Sequence, residues 1–218
     1  RRRDETSTRL LVMAAGLFLA RALLMLVAIF DRVGLVSSDV ILPPLERVLH
    51  LITVVLTVWA FLPILKQVPR LSTGVLIVTV LIAAAAYAAF AALWAGAEAA
   101  GTTYNGYWQE RVWEVSTTTI LALALVGSAA LGEPEWGWLT GLLVVWLAGH
   151  GLQLAAPVAD ANSPGWVRLA DLAALPLLAG LVFRRALTST PLLAEESVDA
   201  GESTLGAVGI LRAVQRIR

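Results

Sequence analysis

The chain has 218 residues, 58% of them hydrophobic and only 15% charged, with a mean hydropathy of +0.78, values that exclude an ordinary water-soluble domain. Sixteen basic residues balance sixteen acidic ones, so no nucleic-acid partner is implied by charge. The absence of cysteine excludes disulfides and thiolate metal sites.

An apolar run near twenty residues crosses roughly 30 Å of hydrocarbon at about 1.5 Å per residue. Runs of that length predict transmembrane helices at residues 10–30, 45–65, 72–94, 112–131, 138–155 and 166–183. The first carries Arg21 near its middle. Pro43 and Pro44 mark a break before the second, which opens on Glu46, Arg47 and His50. The third is rich in alanine between Ala83 and Ala92, a pattern that predicts a close packing face. A glycine-containing break at residues 101–106 precedes the fourth, where Glu110, Arg111 and Glu114 enter and Ser116, Thr117, Thr118 and Thr119 are expected to bond back to the preceding turn or to bridge to a neighbouring helix. Gly132, Glu133 and Pro134 separate the fourth span from the fifth, in which His150 lies between Gly149 and Gly151. Asn162, Ser163, Pro164 and Gly165 precede the sixth, where Arg168 and Asp171 enter together and Pro176 predicts a kink.

The expected fold is therefore all-α: a polytopic membrane helical bundle over residues 1–187 with about six transmembrane helices. Lys and Arg are retained on the cytoplasmic side of short loops. With both termini cytoplasmic, Arg1, Arg2, Arg3, Arg9, Lys66, Arg70, Arg184 and Arg185 lie inside, and only Arg32, Arg47, Arg111 and Arg168 face outward. This fits a multi-pass protein of a cell membrane, such as a bacterial inner membrane. Trp108, Trp113, Trp136, Trp138 and Trp166 sit at span ends and are expected to anchor at the headgroups. Residues 188–203 read as a polar cytoplasmic linker. Residues 204–218 repeat apolar positions at helical spacing, as an amphipathic or signalling helix would. The chain opens on Arg1 with neither an initiator Met nor a cleavable signal pattern, so an excerpt or a trimmed product is expected.

Chemistry should reside where ionisable groups are tolerated inside spans, since a charge at the bilayer centre costs about 2.5–3.5 kcal/mol even on a lenient scale. Arg21, roughly 13 Å from the outer end of its helix, needs a partner, and Asp171 is expected to supply it, with Glu114 as the competitor. Glu46, His50, Glu114, His150, Arg168 and Asp171 share the outer leaflet once the topology is drawn. With Arg21 they form the expected ligand-binding or sensing set, open to the outside. The alternative is a set of interfacial charges that snorkel to the headgroups, which suits Arg47, Glu110 and Arg111 best. His50 and His150 raise the option of one metal ion or an axially ligated haem. Two histidines without Cys or an HExxH pattern argue for core imidazoles or a proton-sensing role instead, so no cofactor is expected.

The segment Gly149-His150-Gly151-Leu152-Gln153-Leu154, followed by Ser163-Pro164-Gly165-Trp166-Val167-Arg168-Leu169-Ala170-Asp171-Leu172, resembles the N-terminal integral-membrane sensor region of bacterial multidomain signalling proteins. There, similar regions precede cytoplasmic GAF, PAS or histidine-kinase modules. The resemblance implies signal input within a two-component system and a cytoplasmic output domain as partner, besides the lipid bilayer, with a homodimer as one assembly. It implies no enzymatic activity in this chain. A small-solute transporter or channel is the alternative class, and a haem- or metal-binding redox subunit the second alternative.

Overall fold

The computed structural model describes residues 2–131 and 136–189. Seven α-helices and one 3₁₀ turn follow in order: α1 (Arg2–Arg32), α2 (Ser38–Phe61), α3 (Pro63–Gln67), α4 (Pro69–Ala99), the 3₁₀ turn (Tyr104–Gly106), α5 (Trp108–Leu131), α6 (Trp136–Ala155) and α7 (Gly165–Ser189). There is no strand among the described residues. Six of the helices are long and apolar enough to cross a membrane: Thr6–Arg32, Ser38–Phe61, Pro69–Ala99, Trp108–Ala130, Gly137–Ala155 and Gly165–Arg185. The chain is thus a multi-pass helical bundle. Its first compact unit is Arg1–Leu181. Of the second, beginning at Val182, only the end of α7 is described. Most of the expected linker and all of the terminal helix lie outside the described residues.

The second span begins seven residues before its expected start, with Pro43 and Pro44 inside the helix. The break falls instead at residues 33–37, where Gly34 takes the left-handed conformation (φ 72°) and Asp31 Oδ1 accepts the backbone N–H of Ser38 at 2.9 Å. A proline lacks the N–H that would bond four residues back, so Pro43 frees the carbonyl of Asp39. That carbonyl accepts the indole N–H of Trp94 on α4 at 3.0 Å. The same chemistry shapes the other end of α2. Leu62 turns extended ahead of Pro63, whose missing N–H frees the carbonyl of Trp59. Arg9 of α1 donates from Nη1 to that carbonyl at 3.1 Å and from Nη2 to Leu65 O and Ser72 Oγ, both at 3.2 Å. Its guanidinium also lies over the Trp59 ring, 4.9 Å from the centroid. Arg9, expected on a cytoplasmic flank, is buried inside the bundle.

α2 is the central helix, packed against α1, α4 and α5. In its most apolar window 61% of residues are buried, against 11% for α4. α4 buries one face, Ser72, Leu76, Ala83 and Trp94 at helical spacing. The alanine stripe packs only in part: Ala83 is buried and Ala86 lies against the core, whereas Ala84, Ala85, Ala88, Ala89 and Ala92 are exposed. Trp113 also departs from its expected role. It is buried, and its indole N–H donates to the hydroxyl of Tyr104 at 3.1 Å, whereas Trp108 and Trp138 remain exposed as anchors would. Ser116, Thr117 and Thr119 do bond back one turn.

Candidate functional site

Ionisable residues from five helices meet near the end of the bundle that carries the turn at 33–37, the loop at 100–107 and the loop at 156–164. The local reason is register: Glu46 and His50 lie one turn apart on α2, as do Glu110 and Glu114 on α5, so each helix presents a polar strip on one face. α6 reaches α7 closely because residue 149 is glycine. A Cβ there would collide with the Cβ of Ala170 and lie 3.2 Å from the carbonyl oxygen of Trp166.

Arg21 donates from Nη2 to Asp171 Oδ2 at 2.7 Å, the pairing its depth in the first span demands. The indole N–H of Trp146 donates to the other oxygen, Oδ1, at 2.9 Å. His50 Nδ1 lies 3.7 Å from Asp171 Oδ2, and its ring meets Trp146 edge-on. The His50 and His150 rings are 4.7 Å apart, centroid to centroid. His150 Nδ1 is 2.6 Å from Glu114 Oε2, so Glu114 pairs with His150 and not with Arg21. Arg168 grips Glu46 with two parallel bonds, Nε to Oε1 at 2.6 Å and Nη2 to Oε2 at 2.7 Å, the bidentate geometry that makes such pairs strong. All seven expected site residues line one small cavity of about 20 Å³.

Arg47 and Glu110 are not interfacial snorkelers. Their side chains are 1% and 3% exposed and joined through Nε and Oε2 at 2.6 Å. Arg47 further donates to Asn105 Oδ1 at 2.7 Å and to the carbonyl of Asn162 at 3.0 Å, and its guanidinium lies over the Tyr104 ring. Asn105 passes the connection on, donating from Nδ2 to the carbonyls of Val158 and Ser163. Gln153 Nε2 donates to the second oxygen of Glu110 at 2.9 Å. A guanidinium at the hub therefore ties α2 to α5 and to both loops that roof the site. Arg111, by contrast, is exposed, as expected. Burial pushes the Tyr104 phenol well above its ordinary range, so it stays neutral and can accept from Trp113 at any physiological pH. Asn105, Trp146, Gln153 and Asn162 are not among the site residues expected from the sequence, since an isolated amide or indole carries no pattern that distinguishes a hub from a loop.

Axial ligation of one iron would hold two imidazole centroids roughly 6 Å apart, given metal–nitrogen bonds of about 2.0–2.1 Å and the ring radii. At 4.7 Å the two rings leave no place for a haem between them. Among the described residues, no three His, Cys, Asp or Glu side chains group so as to hold a metal ion.

Comparison with protein-family models, with curated proteins and with solved structures finds no match, and nothing in them links the chain to the sensor regions of signalling proteins. The functional reading rests on the site.

Proposed function

We propose that the chain is a membrane-embedded signal-input domain, with both termini cytoplasmic, that reads a small extracytoplasmic cue at the Arg21–His50–His150–Asp171 cluster. The observation that carries this reading is the convergence of ionisable groups from five helices on one small cavity, against the middle of the most enclosed helix. A cue that changes the charge or packing around His50 acts directly on the middle of α2. The inner end of that helix, roughly 16 Å away along its axis, is held by the Arg9 clamp. A rigid helix anchored at both points can transmit a change as a shift between two packings. Between the two points, the hydroxyls of Thr53 and Thr57 are spent on the carbonyls of Leu49 and Thr53, which favours transmission over passage of an ion along α2.

The test pairs amide hydrogen exchange in lipid nanodiscs with a flux assay in sealed liposomes. His50→Gln is expected to change exchange around Leu62–Val68 at least about threefold, a shift of well under 1 kcal/mol in local stability, with no steady proton or ion flux through the wild-type protein. Steady flux, with exchange changed only in the outer half of α2, would replace the signal reading with transport.

A further inference from the structure

The three arginines of the cluster each have a carboxylate of their own: Arg21 has Asp171, Arg47 has Glu110 and Arg168 has Glu46. Glu114 is the carboxylate left over. Its partner is His150, a group that can carry a proton but need not. With both imidazoles neutral, the cluster holds one unbalanced negative charge.

Two further observations converge on the same place. Nε2 of His50 and Nε2 of His150 are both completely enclosed and have no hydrogen-bond partner in the protein, a condition that buried polar atoms rarely keep. Both rings line the cavity of about 20 Å³, enough for one water molecule, which needs some 10–15 Å³ on this measure and two to four polar partners. Glu114 also borders a second cavity of about 130 Å³, shared with Asn105, Arg111, Gln153 and Pro157, beneath the loop at 156–164. It thus stands between that vestibule and the histidine pair.

Accepting the signal-input reading, on which this step rests, we infer that the cue is the proton: the row Glu114–His150–His50 binds one exchangeable proton, counterbalanced by Glu114 and shared between the imidazoles through a single water. At rest Nδ1–H of His150 donates to ionised Glu114, which leaves Nε2 of His150 without a hydrogen. The proton taken up from water forms an N–H bond at Nε2 of His150 or, handed on by the bridging water, at Nε2 of His50, with Glu114 as its counter-charge. One proton enters, no electron moves, and the unbalanced negative charge is cancelled. The charged groups facing the row are Arg21 from α1, Glu46 and Arg47 from α2, Glu110 from α5, and Arg168 and Asp171 from α7, with exposed Arg111 at the vestibule. Six of these seven are paired with one another and leave Glu114 as the charge that the proton balances.

The chain has two histidines, so ¹⁵N-histidine NMR of the protein in zwitterionic nanodiscs, any affinity tag removed, reads this pair alone. Over the pH range in which the protein stays folded, both rings are expected to change together, with one proton taken up per chain. Two independent titrations taking up two protons, or no change across that window, would overturn the proposal. Glu114→Gln, which preserves shape, is expected to weaken uptake at least about tenfold, a one-unit shift of the midpoint. Unchanged uptake in a variant with the wild-type spectrum elsewhere would also overturn it. Shared uptake of one proton without altered exchange at Leu62–Val68 would uphold the proton site and sink the signal reading instead, so the two failures are separable.

Discussion

Arg47 and Arg168 show how differently two arginines of one cluster can be placed. Arg47 is enclosed, and Nε, Nη1 and Nη2 are all spent, on Glu110, Asn162 and Asn105. Arg168 also grips a carboxylate with two bonds, yet its side chain is 56% exposed. Removing one member of a buried pair strands the other's charge. Arg47→Met is therefore expected to destabilise the protein by about 3–5 kcal/mol, and Arg168→Met by no more than about 1 kcal/mol. Chemical denaturation in matched bicelles measures both. Equal losses would show that the Arg47 hub is no more enclosed than the rim. The residue scale is also where sequence reading was weakest. A span fixes how deep Arg47 lies but not which way it points, so a buried hub and a snorkelling rim charge look alike. Arg21 was legible because a guanidinium in mid-span has few acceptable partners, and Asp171 was the one within reach.

At the scale of elements, prolines do not end α2 where the sequence suggests. Pro43 frees the carbonyl of Asp39, and Trp94, fifty-five positions beyond Asp39, occupies it. Pro63 frees another, and Arg9 occupies that one. Each donor comes from another helix, which is why the pair Pro43 and Pro44 reads locally as a break and yet lies within a continuous helix. Glycine has the same dependence on context. Gly149, beside His150, is where α6 meets the backbone of α7, whereas a Cβ on Gly151 would meet open space. Gly149→Val is expected to cost about 1–3 kcal/mol by overpacking and to disturb the His50–His150 spacing. Gly151→Ala should be neutral or stabilising by up to about 1 kcal/mol. Thermal unfolding of the two variants decides this, and similar midpoints would contradict the close approach of α6 and α7.

For the whole molecule, long apolar runs between polar breaks were enough to read six helices long and apolar enough to cross a membrane, their ends displaced by at most seven residues from those observed. Helix packing was less legible. The alanine stripe of α4 looked like an interface and is buried only at Ala83 and partly at Ala86, while the enclosed α2 carries Glu46, Arg47 and His50 in its middle. The clustering of Glu46, His50, Glu114, His150 and Asp171 followed from depth alone. Their pairing followed from helix rotation, which no local pattern records. The resulting molecule has a charged cavity at the middle of its central helix and an arginine clamp at the end of that helix, and the proposed function requires the two to be coupled. The most direct measurement is amide exchange around Leu62–Val68 in nanodiscs, wild type against Glu114→Gln, as pH is lowered across the range in which the protein stays folded. Coupling predicts a protection change in the wild type with the same midpoint as histidine protonation, lost or displaced in Glu114→Gln. Protection at Leu62–Val68 that is indifferent to pH in both proteins would contradict it.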